Sequence, residues 1–468
     1  MKKILKNTTQ RIPKKIQLFI LISTIVLLIA LIVVIVTTFI RRRGRDSDII
    51  TLTYANANLG ANHNDALELR MIQSFMDAHP NIRIEIDQNI TSPWTDSLAS
   101  AARQNRLPDV FMLEDISIKA ANGWLMDITS HVWADVDFFD LTGSIQEAMR
   151  LGGTMYAVPF AQHIHGYFVN RDLFRDMGME PPSFGVSAGD FVEAIRAATD
   201  LNRPSIGLNH AFSFADWYPG AVNPLLGFFA FDGLGFALNS PEMREGIHLA
   251  SELYSNGYTF DGIPYTGNFA AGNDLGVFME GQMAFFYAGS WLADLMVNQA
   301  GFDWEFIGVP GGRSVITLEV VGISSTTDHP DEAYLFAKWM GHGTEGSLQR
   351  LKYAQEMDVI PSSWPVSQNR EVMEELFQIL PIPGLTEVYE SLYRALIDGL
   401  RVLPGYMQAR FTAPTGINIY GSRLADIGVD QLIRYSITGY AYFPDHGNIA
   451  EEIARYQFNS ASAPFLIN

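Results

Sequence analysis

The sequence predicts an α/β protein with two domains, preceded by one transmembrane helix. Its 468 residues exceed what one ordinary hydrophobic core holds and correspond to two domains of roughly 150 to 250 residues each. From Ile50 onward, strand-like and helix-like patterns alternate, which is typical of a mainly parallel sheet with helices on its faces. Residues 16–40 contain no charged side chain and consist mostly of Ile, Leu and Val.

The apolar run at 16–40 is long enough to cross a membrane. At about 1.5 Å per residue it spans about 37 Å as a helix, whereas the hydrocarbon core of a bilayer is about 30 Å thick. A secretory signal peptide would have a shorter apolar run and a cleavage site of small residues, but this run continues directly into Arg41–Arg43. We therefore expect a basic cytoplasmic tail at 1–15, an uncleaved anchor at 16–40 and a linker at 41–48. Basic residues flank the run on both sides, so charge alone favours a cytoplasmic N-terminus only weakly.

Charge and cysteine content exclude several classes of protein. The first 45 residues contain ten Lys or Arg and no acid, which leaves 22 basic against 51 acidic residues in the rest of the chain. Such an acidic body repels phosphate backbones, so we expect no nucleic-acid partner. The chain has no cysteine, which excludes disulfides, thiol catalysis, cysteine-bound metals and a lipid-modified cysteine. Motifs for a nucleophile elbow, a phosphate loop or a zinc site are also missing from the sequence, and we expect neither a cofactor nor a metal.

Polar side chains follow two predicted strands of the first domain. The first strand leads into Asn56 and Asn58, and the apolar strand at 108–113 leads into Glu114 and Asp115. Because ligands of open α/β sheets bind outside the carboxyl ends of the strands, these four side chains are candidates for ligand contacts. Asp115 also suits the N-cap of a following helix, an alternative that the sequence leaves open.

Another candidate is the indole of Trp291. The stretch Phe278–Trp291 reads as a polar turn, an apolar strand and then Gly-Ser-Trp, and helical spacing follows it. Ser290 has the side chain of an N-cap, so Trp291 should lie at a strand-to-helix junction, where it can face a ligand. Packing in a hydrophobic core is the alternative, since Trp side chains are commonly buried.

Six segments of the chain have the composition and order of a known family. They are residues 49–88, 99–111, Tyr156–Phe160, Tyr167–Pro182, Gly281–Trp291, and Pro310–Gly312 with His329–Lys338. Together they resemble the extracellular solute-binding proteins, family 1, of sugar ABC importers, which are similar to the maltose-binding protein. The resemblance covers about residues 49–410.

This resemblance implies a two-lobed α/β fold of the periplasmic-binding-protein type (class II, Venus flytrap), which closes on a solute by hinge rotation. It places the first lobe at 49–160 and 311–327, and the second lobe at 161–310 and 328–468. The implied crossings lie near Pro159, Val309–Gly311 and Ser324–Thr327. The sequence beyond Gly405 fits the family poorly, and we expect it to elaborate the second lobe.

By position, the resemblance also implies two kinds of ligand contact. Aromatic rings that stack on a sugar are implied at Trp217, Trp291 and Tyr389. Groups that bind sugar hydroxyls are implied in the first lobe at Asp115 and its neighbour Glu114 and at Asn56 or Asn58, and elsewhere at His163 and, more weakly, Glu319.

Some of these residues have alternative interpretations. Trp217 and Tyr389 could equally be core residues. His163 and His165 would share one face of a strand, which invites a metal site, but the sequence has no third ligand nearby.

These features predict a membrane-anchored binding protein, single-pass in the plasma membrane, with its binding domain on the extracytoplasmic side. We expect it to act as a monomer that captures a sugar or oligosaccharide and delivers it to ABC permease subunits. Catalysis is not expected: Glu114 and Asp115 are neighbours on a strand and point to opposite faces, whereas glycoside hydrolysis needs two acids flanking one bond. Two alternatives keep the same cleft, namely a sensor that acts with a membrane signalling partner and a receptor for a peptide or polyamine.

Overall fold

The computed structural model describes residues 49–59, 65–263, 269, 271–417 and 427–466. The tail, anchor and linker expected within residues 1–48 lie outside these ranges. Inside them, every helix is either too short or too polar to cross a bilayer.

The described strands and helices follow one another in a largely alternating order. The strands are β1 (Ile50–Ala55), β2 (Ile82–Ile86), β3 (Val110–Leu113), β4 (Arg150–Leu151), β5 (Thr154–Met155), β6 (Ala157–Asn170), β7 (Ile206–Leu208), β8 (Met283–Gly289), β9 (Trp304–Phe306), β10 (Val315–Ile323) and β11 (Leu396–Ile397). The helices are α1 (Ala66–Ala78), α2 (Trp94–Arg103), α3 (Ile116–Ala121), α4 (Thr129–Ala134), α5 (Gly143–Ala148), α6 (Arg171–Asp176), α7 (Ala188–Ala197), α8 (Phe214–Val222), α9 (Pro241–Ser255), α10 (Asp274–Met279), α11 (Ala293–Gln299), α12 (Pro330–Met340), α13 (Thr344–Glu356), α14 (Arg370–Ile379), α15 (Leu385–Glu390), α16 (Val429–Ile437) and α17 (Phe443–Ser462).

One sheet runs through both halves of the protein. Its strand order is β2-β1-β3-β10-β6-β8-β7, with β11 beside β10 and β9 beside β6. β1 pairs in parallel with β2 and β3, and β7 in parallel with β8, whereas β3, β10, β6 and β8 form antiparallel pairs. The expected parallel arrangement therefore holds at the two ends of the sheet, and the centre is antiparallel because β6 and β10 run in opposite directions.

The strands β6 and β10 connect two lobes. Val158 on β6 pairs with Val321 on β10, close to β3, whereas Tyr167 farther along β6 pairs with Tyr287 on β8. Thus β6 leads from a first lobe built on β1, β2 and β3 into a second lobe built on β7, β8 and β9, and β10 leads back. The two-lobed α/β fold expected from the sequence is present.

Local sequence accounts for the first helix of the first lobe. The carboxylate of Asp65 accepts a hydrogen bond from the Glu68 amide at 2.8 Å and caps α1. Met71 and Phe75 are fully buried on one face of the helix. The helix ends before Pro80, because the residue that precedes a proline disfavours helical dihedrals.

The division between lobes differs from the one expected at residue 328. Helices α12 and α13 pack against α1 and therefore belong with the first lobe. Trp339 on α12 donates to the Met71 carbonyl at 3.3 Å, and Arg350 on α13 pairs with Glu68. The chain thus stays with the first lobe after β10 because α12 presents a largely apolar face to α1.

The region beyond Gly405 packs mainly on residues of the second lobe, but it also reaches the first. Phe458 on α17 packs against Phe231, within the hydrophobic cluster of the second lobe. Phe465, just after α17, packs against Tyr156 and lies close to Gly152, where a Cβ atom would overlap its backbone. The last described turn of the chain therefore contacts the first lobe.

A buried charge cluster holds this C-terminal region to the second lobe. The guanidinium of Arg410 forms an ion pair with Asp216 at 2.7 Å, donates to Asp430 at 2.9 and 3.0 Å, and donates to the Tyr406 hydroxyl at 2.7 Å. Burial raises the pKa of Asp216 to about 6, although the attraction of Arg410 opposes the shift. Asp216 therefore depends on Arg410 for its positive partner.

We predict that Arg410→Ala strongly destabilises the protein. The change leaves Asp216 buried without its cation and Asp430 with Arg434 alone, and an uncompensated buried charge typically costs roughly 3 to 5 kcal/mol in the free energy of unfolding. Urea unfolding of the full-length protein, followed by circular dichroism, measures the loss. Arg434→Ala is the matched control, because Arg434 pairs with the same Asp430 but is 44% exposed, and we expect it to cost less than about 1 kcal/mol. Equal losses in the two variants would contradict the prediction.

Candidate ligand-binding cleft

A cavity of about 840 Å³ lies in the first lobe at the carboxyl ends of β1 and β3. It is bounded by the segment after β1, the segment 90–96 and the end of β3, and its lining includes Asn56, Trp94, Thr95, Asp96 and Glu114. This is the edge where open α/β sheets bind ligands. Two of the sequence candidates, Asn56 and Glu114, therefore face one cavity.

Asn56 is held rigidly at the end of β1. Its side-chain amide donates to the Tyr54 hydroxyl at 2.7 Å, and its side-chain oxygen accepts from the Asn58 amide at 2.8 Å. Asn56 is buried, whereas Asn58 is exposed in the short turn Ala57–Leu59. Both residues stay at the rim of the first lobe, but the polar atoms of Asn56 are largely used within the protein.

Glu114 and Asp115 point to different environments. Glu114 is exposed, lines the cavity and accepts a hydrogen bond from the Thr95 hydroxyl. Asp115 is buried and caps α3, since one of its oxygens accepts from the Ile118 amide at 2.7 Å and from Ser117 at 2.8 Å. Burial raises its pKa, and its Oδ2 atom has no hydrogen-bond partner among the described residues. The capping alternative thus accounts for one carboxylate oxygen and leaves the other unpaired.

Glu319 lies beside these residues on the neighbouring strand. It precedes Val320, which pairs with Leu113 at the end of β3. Arg401 donates to its Oε1 atom at 2.9 Å, and Nε2 of His163 lies 3.4 Å from the same atom.

The second oxygen of Glu319, Oε2, is buried and unpaired within the described part of the chain. The backbone carbonyl of Arg401 accepts from the Ile116 amide at 3.0 Å, which places Arg401 between Glu319 and the start of α3, next to Asp115. Asp115 and Glu319 are thus two buried carboxylates, each with one oxygen that has no partner among the described residues.

Trp291 lies on the second-lobe side of the site. Its side chain is 49% exposed, and its ring lies over Gly289, where any Cβ atom would overlap it. The ring is nearly perpendicular to His165 at 4.9 Å and lies 5.6 Å from His163, measured between ring centroids. The Gly-Ser-Trp sequence therefore has a steric reason, since glycine leaves room for the indole.

The N-cap expected at Ser290 for the helix after Trp291 is absent, because Ser290 does not cap that helix. Its hydroxyl donates instead to the Ser362 carbonyl at 2.8 Å, which also lies 3.2 Å from Nδ1 of His163. A short turn at Ser290–Leu292 precedes α11.

His165 is a partly buried histidine with a lowered pKa. Burial lowers its pKa to about 3, with a smaller effect of His163, and its Nε2 atom lies 3.1 Å from the Thr317 hydroxyl. The described residues contain no group of three possible ligands that could hold a metal ion. His163 and His165 instead support the ring of Trp291.

Trp217 and Tyr389 are core residues in this structure. Both are fully buried; Trp217 donates to the Tyr167 hydroxyl at 2.9 Å, and the Tyr389 ring packs against Trp364. Neither ring exposes a face on which a sugar could stack, so the stacking contacts implied by the resemblance are not available here. Their alternative interpretation as core residues fits the geometry.

The comparison with protein families identifies the chain. Residues 70–366 match the family described as "Bacterial extracellular solute-binding protein", which is more than half of the sequence. The chain belongs to this family of solute-binding proteins. The family recognised from the sequence motifs is thereby confirmed, and the family is one of binding proteins rather than enzymes.

Individual solute-binding proteins show the same relationship. A mannitol-binding protein of Pseudomonas aeruginosa is 29% identical over 164 residues, which covers 34% of this chain and only 35% of that protein. A sugar transporter of Rhizobium etli, solved in an open conformation, has a TM-score of 0.67 at 16% identity and covers 87% of this chain and 99% of its own. An ABC substrate-binding protein of Listeria monocytogenes, solved with cycloalternan, has a TM-score of 0.63 at 19% identity and covers 89% and 100%. At these identities the two structures show a shared fold.

Sequence reasoning missed several residues of this solute-binding protein's cleft. Trp94 and Thr95 line the cavity from the start of α2, and their side chains carried no recognisable motif. Arg401 lies 82 residues from Glu319 in the chain, so no local spacing reveals the pair. Thr95 could have been found only from its position in the sequence, since it follows the end of β2 and precedes β3.

We predict that His165 makes the stability of the protein depend on pH. Its pKa of about 3 in the folded state is far below the ordinary value of 6.5, so below pH 6.5 the unfolded chain binds a proton that the folded protein does not. This contribution is therefore fully present above pH 6.5 and is lost as the pH falls, by at most about 1.4 kcal/mol per pH unit. His165→Gln should remove that slope between pH 6.5 and 5.

Urea unfolding of the full-length protein at several pH values measures the slope. The exposed His248→Gln is the matched control and should keep the wild-type pH dependence. A His165→Gln variant with an unchanged slope would contradict the prediction.

Proposed function

We propose that the protein is a membrane-anchored, extracytoplasmic substrate-binding protein of an ABC importer. It captures a sugar, a sugar alcohol or an oligosaccharide between its lobes and delivers it to permease subunits. Family membership supports the extracellular binding role, and the mannitol-binding relative supports a polyhydroxylated ligand. The apolar run at 16–40 supports the anchor, since the chain has no cysteine for a lipid anchor.

One observation carries the choice of ligand. Buried polar atoms are normally paired, because an unpaired one costs about 1 to 3 kcal/mol. Oδ2 of Asp115 and Oε2 of Glu319 nevertheless lack partners among the described residues. Arg401 donates to the other oxygen of Glu319, and its backbone carbonyl accepts from the amide of Ile116, the residue after Asp115. Hydroxyl groups of a sugar or polyol would donate to these two oxygens and remove that cost.

Trp291 supplies the second kind of contact. The C–H face of a sugar ring is apolar, and an exposed indole offers a flat apolar surface of similar size. Trp291 lies on the second-lobe side, whereas Asp115 belongs to the first lobe and Glu319 to a connecting strand. A ligand that touches all three would stabilise the closed arrangement, because only that arrangement offers every contact at once.

The test is a thermal-shift screen of the full-length protein against a panel of sugars, sugar alcohols, peptides and polyamines. A ligand that binds only the folded form raises the melting temperature, by an amount that grows with concentration above its Kd. We expect a carbohydrate or sugar alcohol, with mannitol in the panel, to give the largest shift. The sugar assignment fails if only a peptide or an amine shifts the melting temperature.

We further predict that Trp291→Ala weakens binding of the carbohydrate found in this screen by about tenfold or more, which corresponds to about 1.4 kcal/mol or more. The loss follows from removing the only large apolar surface proposed for the site. Trp133→Ala is the matched control, because Trp133 is 48% exposed but lies on α4, where its ring packs against Phe139 and not against His163 or His165. Isothermal titration calorimetry measures both affinities, and normal binding by Trp291→Ala would remove this residue from the site.

A further inference from the structure

Lys119 is a buried cation directly behind the cavity of the first lobe. Helix α3 carries it one turn after Asp115, and only 2% of the residue is exposed. Its ammonium group donates to the Thr95 hydroxyl at 3.3 Å, the one hydrogen bond that the described residues give it. Thr95 lines the cavity and donates in turn to Glu114, so a short polar chain links Lys119 to the cavity surface.

The cavity surface itself is acidic. Among its lining residues, the ionisable ones are Asp96 and Glu114, and Asp115 follows Glu114 directly. Trp94 adds an indole to the same wall. Carboxylates beside an aromatic ring are the surroundings that organic ammonium ions prefer. On the lining residues alone, this cavity would select a cation.

Lys119 supplies the charge that opposes such a cation. Burial lowers the pKa of Lys119, and the nearby carboxylates of Asp115 and Glu114 oppose that shift, since they favour its charged form. Arg401, the other cation near the site, is already paired with Glu319. Lys119 is therefore the positive group available to offset the acids of the cavity.

We propose that Lys119 determines the class of ligand that the site accepts. Its charge offsets part of the negative charge of Glu114, Asp115 and Asp96, so that the cavity attracts polyamines less than its carboxylates alone would and favours neutral polyhydroxylated solutes. This inference rests on the proposed function and extends it, because discrimination between ligands requires an unfavourable contact for the wrong one as well as favourable contacts for the right one. The low exposure of Lys119 makes its opposing charge effective, since buried charges are poorly screened by salt.

The experiment uses spermidine as the cationic probe and isothermal titration calorimetry on the full-length protein. Lys119→Met keeps the apolar stem of the side chain and removes its charge. We expect wild-type protein to bind spermidine weakly or not at all, and Lys119→Met to bind it at least about tenfold more tightly, a gain of about 1.4 kcal/mol. Lys119→Arg, which keeps the charge, should behave like the wild type.

A double variant tests whether the gain comes from local charge. Adding Glu114→Gln to Lys119→Met removes one negative charge, and the gain in spermidine affinity should disappear. If Lys119→Met fails to fold, as judged by circular dichroism, Lys119→Gln replaces it, because glutamine can still donate to Thr95.

Two results would overturn the proposal: an uncharged variant that binds spermidine no more tightly than the wild type, or a gain in affinity that persists when Glu114→Gln is added. The proposed function fails separately, when no carbohydrate or sugar alcohol binds the wild type. If the wild type binds a carbohydrate and the uncharged variant gains no affinity for spermidine, the role of Lys119 is refuted and the proposed function is unaffected.

Discussion

The backbone hydrogen bonds between β6 and β10 are the constraint on which the two-lobed structure depends. β6 is 14 residues long and pairs with β10 on the way from one lobe to the other. The two lobes are therefore joined by a hydrogen-bonded ladder and not by flexible loops. A third segment strengthens this connection, since Gln162 and Trp364 exchange backbone hydrogen bonds of 3.1 and 2.9 Å. Rotation of the lobes must twist this ladder and cannot separate its strands.

The ladder is irregular at one point, and that point coincides with the candidate site. Pro159 on β6 has no amide hydrogen to donate, and the register of β10 shifts between Glu319 and Val320 opposite it. Irregularities of this kind bend a strand and redirect a side chain. The carboxylate of Glu319 thus projects from the place where the connecting strands deform most easily. Arg401 donates to this carboxylate, so the hydrogen bond between them lies at the irregular point of the ladder.

The sequence predicts those parts of the structure that depend on local patterns of residues. The ends of β1 and β3, with Asn56 and Glu114 facing a cavity, follow from alternating apolar residues and from the rule that ligands meet strand ends. The exposed Trp291 follows from the Gly-Ser-Trp junction. Trp217 and Tyr389 were assigned by position alone, and their burial depends on how distant helices pack, which no local pattern reveals. The packing of α12 against α1 is hidden from local pattern for the same reason, since the two helices meet only in the folded protein.

Charge compensation in the cleft contrasts with the charge of the molecule as a whole. Beyond residue 45 the chain carries 22 basic and 51 acidic residues, so most of its carboxylates have no cation to pair with. Near the candidate site, however, Glu319 has Arg401 and the pair Glu114 and Asp115 has Lys119. A buried carboxylate without such a neighbour would take up a proton, and a protonated carboxyl oxygen is a poorer acceptor for a hydroxyl. Lys119 therefore opposes the effect of burial on the pKa of Asp115, and Arg401 is hydrogen-bonded to Glu319. Among the described residues, Asp115 and Glu319 each keep an unpaired oxygen, which suits neutral ligands that have only hydrogen bonds and apolar contact to offer.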